Sequence, residues 1–496
     1  MRLSFVSLPE NVVACRNLVG GEWQVPPGAQ LLDVRSPYTG TIIGKVPLTS
    51  AAGVAQAVEA AKPAAALWRA TPLRERTQLL FRFRQLLERD LNRLSHLAAS
   101  EAGKTVGEAR AGILKGLEVS EFALALQNLD TGGHMEVSRG VTCEFRREPL
   151  GIVAGITPFN FPAMVPMWMF PIAVTLGNAF ILKPSEKVPL TACALGELMV
   201  EAGYPRGVFS VVHGGKEAVD ALVAHPDVQA VGFVGSSNVA RHVYTEGSKH
   251  GKRVLALGGA KNHVIVVPDA DPSLTPQAVL DSFTGCAGQR CMAASVLLAV
   301  GDVEPLIQDI VQRASRLEVG PGMGALIDRG AVDRLETAIA RAQAEGAKVL
   351  LDGRGKRPAG EKWAGGNWLG PTLLDGVRPG SEAATRELFG PVLSIIRVPT
   401  LSAALEIENA SPYGNAASIF TTNGAVAQAV VEGAKAGMVG VNVGVPVPRE
   451  PFSFGGTNES KFGHGDITGP SSLDFWTQLK KVTRKWSART DGSWMS

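Results

Sequence analysis

The chain has 496 residues with 49 Lys+Arg against 46 Asp+Glu, a formal charge of +3, and 45% hydrophobic against 19% charged residues. That balance excludes a disordered chain, and a chain this long needs no disulfide or metal staple to hold a core. Near-neutral charge with scattered basic residues argues against nucleic-acid binding, and at roughly 100–200 residues per domain the length implies two to four structural units.

The five cysteines, Cys15, Cys143, Cys193, Cys286 and Cys291, form no CxxC pair, as expected of reduced thiols. The histidines show no HxH, HExxH or HxxxH spacing, so no dedicated metal site is expected. The apolar run 3–8 ends at Pro9-Glu10, too short for a secretory signal. No Arg-rich, acid-poor leader is evident, which favours a bacterial cytosol over a mitochondrial matrix.

Leu79, Leu80, Phe83, Leu86, Leu87, Leu94 and Leu97 recur at helical steps, and a second helix is predicted beyond Lys104 through Ile113, Leu117, Phe122 and Leu126. A hairpin is expected over 134–138 and 141–147 around Arg139-Gly140. The uncharged stretch 149–182 is long enough to span a membrane. Its five prolines and Asn160 instead predict a buried strand, a loop and a buried helix, with no membrane partner. Short β-branched runs at 151–155, 179–182, 208–212, 230–234 and 253–257 alternate with helical patterns, which implies a doubly wound parallel sheet. A second α/β series runs through 264–267, 295–300, 348–351, 392–398 and 417–421. Surface loop is expected at 352–370, irregular loop at 444–465, and an edge strand or short arm at 472–486.

Four segments could carry chemistry. Small residues flank Cys291 in Gly288-Gln289-Arg290-Cys291-Met292-Ala293 and would let a ligand approach the sulfur, while Arg290 would favour its thiolate. Cys286 reads as a buried, inert thiol. In Gly155-Ile156-Thr157-Pro158-Phe159-Asn160-Phe161-Pro162, Asn160 is either a donor to a developing oxyanion or a turn residue bonding local backbone. Lys183-Pro184-Ser185-Glu186-Lys187 follows a strand, where nucleotides dock. Glu186 could accept ribose hydroxyls and repel a 2′-phosphate, favouring NAD over NADP, or the segment could simply cap a helix. Gly235-Ser236 opens a helix suited to a pyrophosphate, although no GxGxxG is present.

Together GITPFNFP at 155–162, LKPSEK at 182–187, FVGS at 233–236, LALGGAKNH at 255–263, GQRCMA at 288–293 and ELFGPV at 387–392 resemble the aldehyde dehydrogenase superfamily, in order and spacing, from about Leu18 to Trp486. The resemblance implies an aldehyde dehydrogenase-like α/β fold. Its parts would be a doubly wound NAD-binding domain (1–133 and 149–257), an α/β catalytic domain (258–445) and a small β oligomerisation flap (134–148 and 468–490) serving a dimer or tetramer. It makes Cys291 the nucleophile and Asn160 the oxyanion donor. It puts Thr157, Phe159, Lys183, Glu186, Lys187, Ser236, Gly258, Glu387 and Phe389 at cofactor-contact positions.

Most members of that family hydrolyse the acyl-enzyme with a glutamate that here is Ala256, a residue that can neither take a proton from water nor orient it. A thiol exchanges readily with a thioester, so coenzyme A is the expected second nucleophile. Segments 260–263, 440–448, 451–454 and 475–480 also resemble the CoA-acylating methylmalonate-semialdehyde dehydrogenase branch. By that resemblance two cations hold the substrate carboxylate. One is Arg290. The other aligns with Lys115, which keeps the charge without the bidentate fork of arginine, or is a solvated helix lysine. The expected reaction takes methylmalonate or malonate semialdehyde to propionyl-CoA or acetyl-CoA with loss of CO2. The alternatives are a non-carboxylated aldehyde, an acid-forming enzyme using another base such as Glu121 or Glu387, and a non-catalytic binding protein on the same fold.

Overall fold

The computed structural model describes residues 6, 8–129 and 132–486; the start of the N-terminal run and positions 487–490 of the expected arm lie outside the described residues. The leucine pattern of 79–97 forms two helices, Leu73–Arg89 and Leu91–Ala102, separated at Asp90. Asp90 accepts from both Arg89 and Arg93 there. Gly103, at φ 73°, ends the second helix in the left-handed conformation open to glycine. The helix Val106–Leu129 starts with a reciprocal cap. The Glu108 N–H donates to Thr105 Oγ1 (3.2 Å), and the Thr105 N–H donates to Glu108 Oε2 (2.9 Å).

Two sheets carry the molecule. The first is eight-stranded, in the order Lys461–Phe462, Arg253–Leu257, Val228–Val234, Ile152–Ile156, Ala179–Lys183, Phe209–Val211, Asn17–Val19, Glu22–Gln24. Its five central strands are parallel. From Ile152–Ile156 the chain winds outward through two strands on one side, then returns to lay Val228–Val234 on the other. That reversal opens a crevice beyond the carboxyl ends of these two strands, where 157–160 and 235–236 follow. The second sheet is seven-stranded, in the order Lys348–Leu351, Thr372–Asp375, Val392–Val398, Ala294–Val300, Asn262–Val266, Ala416–Phe420, Met438–Val441. Only its first pair is antiparallel.

The uncharged stretch holds the buried strand Ile152–Ile156 and the helix Met164–Thr175, all twelve residues of which are buried. Among the described residues no helix is long and apolar enough to cross a membrane. Gly116 of Val106–Leu129 lies against Met167, where a Cβ would stand only 2.9 Å from Met167 Cβ, so the two helices meet closely.

Two loop expectations need correcting. Segment 352–370 is not wholly superficial: Trp368 and Leu369 are buried, and the Trp368 ring packs edge-on to Tyr38 at 5.7 Å. Segment 444–465 contains Lys461–Phe462, which pairs antiparallel with Arg253–Leu257 and completes the edge of the first sheet. The hairpin strands Gly133–Ser138 and Val141–Pro149 join Thr477–Lys485 in a three-stranded sheet. It leaves Met135, Val137, Phe145 and Leu479 exposed. The segment before the last strand is not extended but a short helix, Ser471–Trp476, with Phe475 and Trp476 buried.

Asn178, fully buried, ties this carboxyl-terminal segment to the first sheet. Its Oδ1 accepts from the Leu150 and Gly151 N–H groups at 2.8 and 3.1 Å, and its Nδ2 donates to the Ala173 and Trp476 carbonyls, both at 3.0 Å. Asn178→Ala would strand three backbone groups, the N–H groups of Leu150 and Gly151 and the carbonyl of Trp476, since the Ala173 carbonyl keeps its bond from the residue 178 N–H. At about 1–3 kcal/mol per unsatisfied buried group, it is expected to lower the thermal unfolding midpoint clearly, read by calorimetry beside the unmutated protein. An unchanged midpoint would contradict this role.

Candidate active site

A cavity of about 750 Å³ opens at the crevice of the first sheet and reaches the second. Thr157, Phe159, Asn160, Lys183, Glu186, Lys187, Ser236, Gly258, Cys291, Glu387 and Phe389 all line it. Residues distant in sequence thus meet in one place. The first sheet delivers its share from carboxyl ends of strands, whereas Cys291 and Glu387 lie on segments that lead into strands of the second sheet. Arg290 and Lys115 are not among the lining residues.

Cys291 follows a turn in which Cys286 and Ala287 both have positive φ. Its carbonyl accepts from Asn262 Nδ2 at 2.7 Å and from Asn415 Nδ2 at 2.9 Å. Asn262 also donates to the Ala293 carbonyl (2.9 Å) and accepts from the Ala416 N–H (3.1 Å). Asn160 Nδ2 donates to the Gln289 carbonyl at 2.9 Å. Gln289 in turn bonds the carbonyls of Cys286 and Ala325 and the N–H of Ile327. Three amide side chains therefore hold the cysteine loop from the two sheets.

Burial pushes the Cys291 thiol up to about 12, and the Glu387 carboxylate adds to the rise. Arg290 pulls the other way but does not prevail, so the thiolate preference expected of it is overridden. Its guanidinium is turned to main chain instead: Nη2 donates to the carbonyls of Asp281 and Ser282. Cys286 is buried, outside the cavity, and its N–H donates to Glu108.

Glu387 Oε1 accepts from the Ala260 N–H at 3.0 Å. Burial raises Glu387 to about 7, opposed by that bond and by the charge of Lys261, itself buried and lowered to about 7 by desolvation. Phe389 has φ 58°, a strained backbone for a bulky residue, and its ring meets Phe159 edge-on at 5.8 Å. Gly258 has no room for a side chain, since a Cβ would stand 2.7 Å from the Glu459 carbonyl. Ser236 caps the helix Ser237–Lys249 without spending its hydroxyl on a capping bond. Lys183, buried, lies 3.5 Å from Glu186, and Lys187 pairs with Asp328 at 2.6 Å.

Ala256 is fully buried, registered between Phe233 and Phe462 on the neighbouring strands, and brings no polar group to the cavity. Glu121 lies apart from the cavity, paired with Arg84 at 2.7 Å, so it cannot be a base there. Lys115 sits 3.3 Å from Glu118. Sequence reasoning missed Asn415 and the cavity-lining Arg334. Neither stands in a recognisable motif, whereas Asn262 lay inside a quoted segment with no role given to it.

A model of the aldehyde dehydrogenase family matches residues 23–482. A malonate-semialdehyde dehydrogenase of Pseudomonas aeruginosa is 42% identical over 482 residues, covering 95% of this chain and 96% of that protein. An acylating, mitochondrial methylmalonate-semialdehyde dehydrogenase of Arabidopsis thaliana is 42% identical over 478 residues, covering 95% of this chain and 78% of that one. The crystal structure of a Sinorhizobium meliloti protein complexed with NAD, assigned as a methylmalonate-semialdehyde dehydrogenase, superposes with a TM-score of 0.94 at 40% identity. It covers 97% of this chain and 99% of that one.

The raised thiol predicts slow alkylation of Cys291 in the cofactor-free protein. Iodoacetamide labelling, followed by peptide mass mapping, should climb about tenfold per pH unit from pH 7 to 9 as the thiolate fraction grows. Above pH 7, where Glu387 is charged, Glu387→Gln removes a repelling carboxylate and should speed labelling at fixed pH. A plateau below pH 8, or slower labelling in the variant, would contradict the electrostatics described.

Proposed function

The chain belongs to the aldehyde dehydrogenase family, and we propose that it is an NAD-dependent, CoA-acylating dehydrogenase of a short carboxylated semialdehyde, of the malonate or methylmalonate class. The observation that carries this reading is the pairing of a cavity-lining cysteine and amide donor, Cys291 and Asn160, with a bare methyl buried at position 256.

The cavity suits NAD. Gly258 leaves a floor that any Cβ would fill, Ser236 offers a free hydroxyl at a helix start, and Glu186 stands where ribose hydroxyls could be accepted. Phe159, Thr157, Lys183, Lys187, Glu387 and Phe389 complete the walls that would hold it. When bound, NAD supplies the two-electron oxidant.

The residues then act in sequence. The Cys291 thiol gives its proton to solvent, the thiolate Sγ attacks the aldehyde carbon, and the negative charge passes from sulfur to the carbonyl oxygen. Asn160 Nδ2 has a second N–H beyond the one given to Gln289, and with the Cys291 N–H it stabilises that oxygen. Oxidation of the resulting hemithioacetal leaves an acyl thioester on Cys291. With no carboxylate at 256 to activate water, the thiol of CoA attacks the acyl carbon, the acyl–CoA bond forms and the bond to Cys291 breaks. The carboxylate of the malonyl-type thioester leaves as CO2 and the carbon it leaves takes a proton from solvent, giving acetyl-CoA or propionyl-CoA. Arg290 and Lys115 are proposed to attract the substrate carboxylate. The three-stranded sheet of the hairpin 134–148 and the carboxyl-terminal arm, which exposes Met135, Val137, Phe145 and Leu479, is proposed to bind a second copy of the chain, with 1–133 and 149–257 as the nucleotide-binding unit and 258–445 as the catalytic one.

Glu387, half-buried and raised to about 7 by desolvation, favours one second reading, in which it activates water and the product is the free acid. Measuring NADH formation with and without CoA separates the two. Steady multiple turnover is expected only with CoA, and equal turnover without it would contradict acylation. Cys291→Ser should abolish the NADH burst while Cys286→Ser retains it. Equal loss in both would overturn the assignment of the nucleophile.

A further inference from the structure

We propose that Cys193, His213 and Cys15 form a thiol-oxidation site outside the cavity, at which hydrogen peroxide joins Cys193 and Cys15 in a disulfide.

The three residues come from separate elements. Cys193 stands on the helix Pro189–Glu201, His213 lies just beyond the strand Phe209–Val211, and Cys15 directly follows the strand Val13–Ala14. The Cys193 sulfur is 3.3 Å from His213 Nε2 and 3.9 Å from the carbonyl oxygen of Arg16, the residue next to Cys15. Asn17 fixes the histidine backbone, its Oδ1 accepting from the His213 N–H at 2.9 Å. Cys193 also packs on the apolar cluster of Cys15, Val34, Ile43, Val46 and Leu190. Residues 15–17 thus run past both the thiol and the imidazole. None of the three site residues lines the cavity that holds Cys291.

His213 is fully buried, and its Nδ1 has no hydrogen-bond partner. The polarity of the imidazole is spent on the Cys193 sulfur, and an Nε2–H donated there stabilises a thiolate. The Cys193 thiol is held well below the ordinary range, first by a hydrogen bond with Cys15 and then, against burial, by His213. The same bond, with burial, raises Cys15, and the charge of Glu101 adds to that rise. One sulfur is therefore anionic and its neighbour protonated. Cys193 is half-buried and open to a small solute, whereas Cys15 is 2% exposed. An accessible thiolate attacks first, and the sheltered thiol beside it resolves the product.

The Cys193 thiolate attacks one oxygen of the peroxide. The S–O bond forms as the O–O bond breaks, and the departing hydroxide takes a proton from solvent. Cys15 Sγ then attacks the sulfenic sulfur, the S–S bond forms, the S–O bond breaks, and hydroxide leaves as water with the Cys15 proton. The two sulfurs are oxidised to a disulfide and the peroxide is reduced to water.

The test exposes the folded protein to hydrogen peroxide, blocks remaining thiols with N-ethylmaleimide in denaturant, and maps the peptides by mass. A disulfide-linked pair containing Cys15 and Cys193 should appear and be cleaved by dithiothreitol. In Cys15→Ser the sulfenic acid has no resolving thiol, so dimedone should label Cys193, and ahead of Cys291. His213→Leu, checked for native circular dichroism, should slow the loss of the Cys193 thiol about fivefold or more. No Cys15–Cys193 link, labelling of Cys291 before Cys193, or an unchanged rate without the imidazole would overturn the proposal.

Discussion

Two amide side chains, Asn262 and Asn415, grip the carbonyl of Cys291, and the chemistry proposed for the cavity depends on that grip. A nucleophile is useful only where its attack angle is set before substrate arrives. The residues just before Cys291 are glycine-rich and partly in left-handed backbone, so the turn has little rigidity of its own. Asn262 connects it to two strands of the second sheet, and Asn160 connects Gln289 to the first. The sulfur therefore sits at a seam, positioned by both halves of the molecule.

The same seam explains the electrostatics. Burial favours neutral forms of Cys291, Glu387 and Lys261 alike. Glu387 and Lys261 offset one another, and the thiol is left protonated at rest. A neutral thiol is a weak nucleophile, and ligand binding must then supply its activation. Position 256, where a hydrolytic enzyme would need a carboxylate, is sealed between Phe233 and Phe462. Water meets no base from that strand.

Much of this was legible in the sequence, for physical reasons. Buried strands such as 253–257 and 392–398 declare themselves as β-branched runs, and Thr105 with Glu108 forms a cap that any chain with that spacing can make. The eleven residues singled out through the family resemblance all line one cavity, and they were legible because the motifs that carry the resemblance stand in the sequence in recognisable order and spacing. What could not be read was tertiary. Asn415 belongs to no motif, Trp368 is buried because Tyr38 arrives from far along the chain, and the single helix expected over 79–97 divides at Asp90. Arg290 has the right charge beside the cysteine, yet its direction depends on the carbonyls of Asp281 and Ser282, which no linear pattern discloses.

The central claim concerns the lifetime of an acyl group on one sulfur. Intact-protein mass spectrometry after mixing the enzyme with aldehyde and NAD, without CoA, should show the acyl mass on Cys291 persisting for many turnover times and vanishing when CoA is added. Release of free acid at the full catalytic rate in thiol-free buffer, with no adduct on that residue, would contradict the account.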